Sequence, residues 1–185
     1  VPMVIVVGPS GVGKSSFVDL ITKEMPILFD TVTYTTRAMR KGESEGNPYH
    51  FVDEQKFRSL LKENFFVEHA EVHGRMYGTP KHQIDDAIAD GRVVIMDVDV
   101  QGAKTFKEKY PGAFAIFIHP PSIDELRQRV LKRDGKNCTD LEVRMENARK
   151  EIALAHTFDA QFTNDDFKAS YAQFKKFIED KLNIR

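Results

Sequence analysis

One stretch near the start of the chain constrains its fold most, because a run of β-branched residues turns there through glycines into a helical pattern. Residues 4–7 are typical of a buried strand, whereas Phe17 and Ile21 recur at helical spacing. Glycines between them let several backbone N–H groups converge on one anion, and the following helix adds the positive end of its dipole. The pattern Gly8-x-x-x-x-Gly13-Lys14-Ser15 matches a P-loop in full, in which the lysine reaches the β- and γ-phosphates and the serine hydroxyl binds Mg²⁺. The expected phosphate-binding residues are Gly8, Pro9, Ser10, Gly11, Val12, Gly13, Lys14, Ser15 and Ser16.

The length and charge of the chain limit the number of domains and the classes of partner that it can have. A chain of 185 residues fits one domain with a full core. Lys and Arg number 27 against 28 Asp and Glu, so no global field draws the chain to nucleic acid or to an anionic membrane. The apolar runs are far shorter than the roughly 20 residues of a membrane span, and no signal-peptide pattern opens the chain. We therefore expect a cytoplasmic protein without a nucleic-acid or membrane partner, and the single cysteine, Cys138, excludes an internal disulfide.

Apolar strands that alternate with helical patterns predict an α/β fold with a doubly wound parallel sheet. A strand-rich stretch at about 33–79 interrupts this alternation and predicts a mixed-β insertion. We expect one strand over 27–36, and a helix that opens at Thr79-Pro80 because proline suits the first helical position. Asp53 is predicted to cap a helix that carries Phe57 and Leu60. Capping boxes at Ser122 and Thr139 predict two helices on either side of a polar break at residues 134–139.

A P-loop alone does not name the reaction, because GTPases, ATPases and small-molecule kinases share it. The chain lacks the NKxD-type guanine signature of GTPases, and arginines dominate its polar segments. On a mobile flap, arginines would place positive charge on a phosphoryl group in transfer and exclude water. For Arg127 and Arg149, each taken alone, an ordinary solvated helix face is a better interpretation than a role in phosphoryl transfer.

Further motifs give the chain a resemblance to guanylate kinases over essentially its whole length. They are Thr35-Thr36-Arg37, Arg40-x-Gly42-Glu43, Gly46-x-x-Tyr49-x-Phe51, Phe66-Val67-Glu68, Tyr77-Gly78-Thr79, Asp97-x-Asp99-x-Gln101-Gly102, Arg129-x-x-x-Arg133, Arg144 and Asn164-Asp165. The resemblance implies a P-loop kinase fold in one domain, with a GMP-binding subdomain and a helical lid. The implied core covers about 1–32, 80–125 and 157–185, the GMP-binding subdomain about 33–79 and the lid about 126–156.

The same resemblance implies an enzyme that moves the γ-phosphoryl of ATP to GMP or dGMP with Mg²⁺, as a monomer or homodimer. The implied catalytic residues are Lys14, Arg37, Arg40, Arg129, Arg133 and Arg144. The implied GMP-binding residues are Thr33, Arg37, Arg40, Glu43, Tyr49, Glu68, Tyr77, Thr79 and Asp99. Asn164 would contact the adenine of ATP. Ser15 would bind Mg²⁺ directly, and Asp97 would hold it through water. Which of Asp97 and Asp99 serves Mg²⁺ and which binds GMP stays open.

The hydrogen-bonding groups of guanine match a carboxylate at Glu68 better than those of adenine do. A carboxylate at Glu68 accepts both N1–H and N2–H of guanine, whereas adenine has an acceptor at N1 and no amino group at C2. No general base is required, because a nucleoside monophosphate already carries an anionic oxygen at neutral pH.

Other interpretations stay open at this point. A non-catalytic guanylate-kinase-like scaffold module would bind a phosphopeptide in the GMP groove, but the intact Gly13-Lys14-Ser15 counts against it. A P-loop kinase for another small acceptor is disfavoured by Glu68 and its paired threonines. His69, Glu71 and His73 would share one strand face, where a plain polar surface is a better interpretation than zinc.

Overall fold

The computed structural model describes residues 1–72, 74–135 and 140–184. The strands are β1 (Met3–Val7), β2 (Leu28–Asp30), β3 (Tyr34–Thr35), β4 (His50–Phe51), β5 (Phe66–Val72), β6 (Arg75–Pro80), β7 (Val93–Val98), β8 (Phe114–His119) and β9 (Ala160–Thr163). The helices are α1 (Lys14–Glu24), α2 (Glu54–Lys62), α3 (Lys81–Ala89), α4 (Val100–Lys109), α5 (Ile123–Asp134), α6 (Leu141–Ala153) and α7 (Phe167–Leu182). A short 3₁₀ turn at Ala155–Thr157 follows α6.

A five-stranded parallel sheet in the order β2-β7-β1-β8-β9 forms the centre of the fold. Every residue of β1 is buried, as are residues 115–118 of β8. Continuous burial is what a parallel strand covered on both faces requires, and it explains the unbroken apolar runs in the sequence. The predicted α/β class with a parallel sheet is therefore confirmed.

The chain divides into two compact units. The first comprises Val1–Leu28 and Ile95–Arg185, and the second is Phe29–Val94. The second unit contains a four-stranded mixed sheet in the order β4-β3-β6-β5, in which β3 and β4 are parallel and the other pairs are antiparallel. Phe57 and Leu60 of α2 pack against Phe66 of β5 to form its core. The predicted mixed-β insertion is thus present, while its exact borders and those of the lid stay predictions.

The prediction of one strand over 27–36 is wrong. That segment forms β2 and β3, which belong to different sheets. Between them, the backbone N–H of Val32 donates to Oε1 of Gln83 at 2.8 Å. A buried backbone N–H needs a hydrogen-bond acceptor, but the acceptor can be a side chain instead of a neighbouring strand. The Gln83 side chain therefore allows the segment between β2 and β3 to leave one sheet before it joins the other.

The helix predicted to open at Thr79-Pro80 begins at Lys81 instead. Thr79 and Pro80 are the last residues of β6, where Pro80 pairs with Phe66 and Thr79 with Glu68. Antiparallel pairing therefore outweighs the preference of proline for the first helical position, and Pro80 serves as an extended residue before the helix.

Two predicted helix caps are confirmed. Oδ1 of Asp53 accepts from the backbone N–H of Lys56 at 2.7 Å, and Oγ of Ser122 accepts from that of Glu125 at 3.0 Å. The cap predicted at Thr139, together with Cys138 and His73, lies outside the described residues.

Within the described ranges, no helix is long and apolar enough to cross a membrane. In the same ranges, no group of three or more His, Cys, Asp and Glu side chains could hold a metal ion. His69 is exposed on β5.

Candidate active site

The loop between β1 and α1 depends on glycine at each of its three glycine positions. A Cβ at Gly8 would lie 2.7 Å from the carbonyl oxygen of Ile118, so the backbone passes too close for a side chain. Gly11 has φ of +86° and Gly13 has φ of +104°, which is left-handed backbone that other residues adopt only with strain. The sequence therefore folds locally into the anion-binding loop that its pattern predicts.

Lys14, the first residue of α1, folds back over this loop. Its Nζ donates to the carbonyl oxygen of Gly8 at 2.6 Å and to that of Pro9 at 3.2 Å. Burial lowers the pKa of the Lys14 ammonium, and the field of Asp97 is the largest opposing effect. A buried ammonium held at the mouth of an anion-binding loop is suited to pair with a phosphate.

Three carboxylates surround Lys14, from two different parts of the first unit. Asp97 is the penultimate residue of β7, and burial raises its pKa against the opposing charge of Lys14. Asp99 caps α4, where its Oδ1 accepts from the backbone N–H of Gly102 at 2.7 Å. Glu151 on α6 acts on Lys14 more strongly than Asp99 does. Burial raises the pKa of Glu151 to about 7, and no described residue gives its buried Oε2 a hydrogen bond.

The predicted lid arginines Arg133 and Arg144 meet at one carboxylate. Nε of Arg133 lies 2.9 Å from Oδ1 of Asp134, while Nη1 of Arg144 binds Oδ2 of the same side chain. These guanidinium groups lower the pKa of Asp134 to about 2. Nη2 of Arg133 also lies 3.5 Å from Oγ of Ser10, so this arginine reaches the phosphate-binding loop.

Arg129 has different hydrogen-bond partners from those two arginines. Its Nη2 donates to the backbone carbonyl of Asn164 at 3.0 Å and more weakly to that of Asp165 at 3.4 Å. Asn164 itself is buried, and its Nδ2 donates to the backbone carbonyl of Val12 at 2.9 Å. Arg129 and Asn164 thus form a connection from α5 to the phosphate-binding loop.

In the second unit, a buried threonine fixes the backbone at Arg37. Oγ1 of Thr35 donates to the carbonyl oxygen of Met76 at 2.9 Å and accepts from the N–H of Arg37 at 3.1 Å. The guanidinium of Arg37 makes two bonds to Glu43, of 3.0 and 2.7 Å, and lies 5.2 Å from the ring centre of Tyr49. A two-pronged ion pair over an aromatic ring holds the positive charge in one place.

Glu43 also has a second partner. Its Oε2 accepts from the backbone N–H of Arg40 at 2.8 Å, so it orders the loop that carries both predicted phosphate-binding arginines. The hydrogen bond from Arg37 lowers the pKa of the Glu43 carboxyl, which keeps it ionised at neutral pH.

Strand register brings Glu68, Tyr77 and Thr79 to one face of the mixed sheet. Glu68 on β5 lies opposite Thr79 on β6, and Tyr77 on β6 lies opposite Thr35 on β3. Paired residues point to the same face, and so do residues two apart on one strand. The ring of Tyr49 lies 5.8 Å from that of Tyr77, centre to centre. A register shift between Phe66 and Glu68 makes Phe66 pair with Pro80, which points to the other face from Thr79. Carboxylate, hydroxyl and phenol groups therefore share the face opposite the Phe66 core.

The family model for guanylate kinases matches residues 2–181. The chain belongs to the guanylate kinase family. A guanylate kinase of Bdellovibrio bacteriovorus is 54% identical over 180 residues, which cover 97% of each chain. One from Photorhabdus laumondii is 40% identical over 180 residues, which cover 96% of this chain and 86% of that protein. The crystal structure of a guanylate kinase from Anaplasma phagocytophilum has a TM-score of 0.77 and 30% identity, and covers 97% of this chain and 85% of that one.

The family and the enzyme class predicted from the sequence are confirmed by these comparisons. Within this guanylate kinase, the first unit contains the predicted ATP-binding residues and the lid arginines, together with Asp97 and Asp99. The second unit contains Arg37 and every other residue predicted to bind GMP except Asp99. The residue-by-residue roles stay predictions.

Sequence reasoning missed two acidic residues of this site. Asp134 belongs to the predicted polar break, which gives it no role, although its position beside Arg133 is a usable signal. Glu151 directly follows Arg149 and Lys150, two charged residues that indicate a solvated helix face. Nothing in the sequence distinguishes it from such a face, because its burial near Lys14 depends on the tertiary packing of α6.

Proposed function

We propose that this guanylate kinase transfers the γ-phosphoryl group of ATP to GMP, or to dGMP, and releases ADP with GDP or dGDP. The observation that carries this proposal is the complete anion-binding loop, in which glycines with left-handed backbone lie beside the ammonium of Lys14. A scaffold module would have no use for such a loop, whereas a phosphotransferase needs it to hold the donor.

On the donor side, residues 8–16 would bind the phosphates of ATP through their backbone N–H groups. Lys14 would turn from its carbonyl partners toward the β- and γ-phosphates. The lid arginines Arg133 and Arg144 would cover the group in transfer, and Asp134 would hold them ready in a defined position. Arg129 would support the same region from its place on residues 164–165.

The residues near the donor site fit Mg²⁺. The Ser15 hydroxyl is exposed at the start of α1, and Asp97 offers a carboxylate near Lys14. Both are the hard oxygen donors that Mg²⁺ prefers, and few protein ligands suffice because this ion keeps waters and substrate phosphates. When bound, Mg²⁺ would neutralise charge on the β- and γ-oxygens.

On the acceptor side, Arg37, Arg40, Tyr49 and Tyr77 would hold the phosphate of GMP. Glu43 would act first as the partner that orders Arg37 and Arg40, since it already bonds to both. Thr33, Glu68 and Thr79 would recognise guanine, and Asp99 would contact the nucleoside.

A guanine base matches the paired Glu68 and Thr79. The carboxylate accepts two N–H groups, and the hydroxyl can donate to O6 of the base. An adenine base would leave the carboxylate without those donors, which costs binding free energy at a half-buried position.

A coupled assay of ADP release tests the proposed reaction across GMP, dGMP, AMP, CMP and UMP. We expect Mg²⁺-dependent turnover with GMP and dGMP that exceeds turnover with AMP by at least about a hundredfold. Equal turnover with several acceptors would contradict the guanine assignment. Binding of GMP and ATP without formation of GDP would favour the scaffold interpretation instead.

A further inference from the structure

The side chain of Asn164 is attached to the P-loop backbone. Only 5% of this residue is exposed, and its Nδ2 donates to the carbonyl oxygen of Val12 at 2.9 Å. Its own backbone N–H donates to the carbonyl of His119 at 2.8 Å, which fixes it at the end of β8. The nucleotide loop is thereby tied to a residue 152 positions away in sequence.

A hydrogen bond to the Val12 carbonyl also determines the direction of the next N–H group. The Val12–Gly13 peptide is trans, so its C=O and N–H point in opposite directions in one rigid plane. Since the carbonyl points to Asn164, the N–H of Gly13 points away from Asn164. Without this bond, the peptide could rotate at small cost, because Gly13 with φ of +104° has no side chain to restrict it.

The packing at this point is close. A Cβ at Gly13 would lie 3.1 Å from Nδ2 of Asn164, so the amide occupies the space that a side chain at 13 would take. Arg129 donates to the backbone carbonyl of Asn164 at 3.0 Å and holds the asparagine from the other side. Both neighbours limit the movement of the amide group.

We propose that Asn164 is a positioning residue for the P-loop, which holds the Val12 carbonyl away from the ligand and so directs the Gly13 N–H toward the bound phosphates. The inference rests on the proposed binding of ATP phosphates to residues 8–16. It differs from the expectation that Asn164 contacts adenine, because a positioning role is independent of the base.

The two roles use different atoms of one side chain. Adenine recognition would need Oδ1 as acceptor for the 6-amino group, and no described residue gives this buried oxygen a hydrogen bond. P-loop positioning needs the N–H group of Nδ2. Asn164→Ala removes both the donor and the acceptor without adding charge and is therefore the decisive variant. Asn164→Asp keeps an acceptor oxygen and removes the donor with almost no change in shape, but it adds a negative charge that would itself repel the phosphates.

Binding is measured by calorimetry without GMP, for Mg²⁺-ATP and for the Mg²⁺ complex of purine riboside triphosphate, which lacks the 6-amino group. We expect Asn164→Asp and Asn164→Ala to weaken binding of both nucleotides about tenfold to a hundredfold, with the ratio between the nucleotides unchanged. The result that overturns the proposal is a loss confined to ATP in Asn164→Ala, with wild-type binding in Asn164→Asp.

Ser170→Ala is the matched control, because Oγ of this buried serine donates to the carbonyl of Thr163 at 3.1 Å. It loosens the same segment without touching Val12, and should lower the melting temperature while ATP binding stays at the wild-type value. An equal loss of ATP binding in Ser170→Ala would show that any loosening of this segment weakens binding. It would therefore overturn the specific role proposed for Asn164.

A measurement on the wild-type protein applies even if the variants at 164 fail to fold. The side-chain amide protons of Asn164 should exchange slowly with solvent in the nucleotide-free protein and in its ATP complex, because their bond to Val12 persists. Fast exchange in either state would overturn the proposal. Since these readouts are binding and exchange, absent turnover with GMP would contradict the proposed reaction without affecting the inference about Asn164.

Discussion

Substitution of Thr35 by valine should lower the stability of the second unit and raise the KM for GMP. Valine keeps the shape of this fully buried threonine, so no cavity forms and the loss of the hydroxyl is isolated. The carbonyl of Met76 keeps its second bond, from the N–H of Thr36 at 3.1 Å. The N–H of Arg37 loses its acceptor, and an unsatisfied donor costs about 1–3 kcal/mol.

We therefore expect Thr35→Val to lower the free energy of unfolding by about 2 kcal/mol in urea denaturation. The KM for GMP should rise about tenfold, because the backbone that places Arg37 is no longer held, while the KM for ATP stays near its wild-type value.

Thr35→Ser is the matched control. It keeps the hydroxyl and loses a buried methyl group, which costs about 1 kcal/mol of stability. Its KM for GMP should stay within about twofold of the wild type. A Thr35→Val enzyme with wild-type KM for GMP, or a Thr35→Ser enzyme with the larger KM, would refute the role of the hydroxyl.

Three further substitutions test other parts of the site. Lys14→Ala should lower the rate of GMP phosphorylation roughly a thousandfold or more with an unchanged circular dichroism spectrum, and a rate within about tenfold of wild type would contradict the role of Lys14. Glu68→Gln should lower the GMP-over-AMP ratio of kcat/KM about tenfold or more, since one charged pairing is lost, and an unchanged ratio would remove Glu68 from the guanine site. The pKa of Glu151 is about 7 in the folded protein against an ordinary value of 4.5, so the folded protein binds the proton more tightly and loses stability as pH rises from about 4.5 to about 7. Glu151→Gln cannot ionise and should be more stable than wild type by about 1–2 kcal/mol near pH 8, since solvent screens this partly exposed side chain, but not near pH 5. Urea denaturation that gives the same difference at both pH values would contradict this.

The sequence predicts those parts of the fold and site that depend on local chemistry. Glycine spacing between an apolar strand and a helix is enough to specify the anion-binding loop with Lys14. The caps at Asp53 and Ser122 are also local, because each acceptor lies three residues from its donor.

The parts that sequence reasoning missed depend on contacts between distant residues. The break between β2 and β3 needs Gln83, which lies 51 residues after Val32. The extension of β6 through Thr79 and Pro80 depends on pairing with β5, which outweighs a local preference of proline. The buried environment of Glu151 arises only when α6 packs near Lys14, and no pattern within α6 reveals it.

Transfer of labelled phosphate from ATP tests the central claim of guanylate kinase activity most directly. Purified protein is incubated with Mg²⁺, GMP and ATP that carries a radiolabel in its γ-phosphoryl group, and the nucleotides are separated by chromatography. The account predicts that the label appears in GDP, at a rate that depends on GMP and falls roughly a thousandfold in Lys14→Ala. Label that appears only as inorganic phosphate, or remains in ATP, would contradict it.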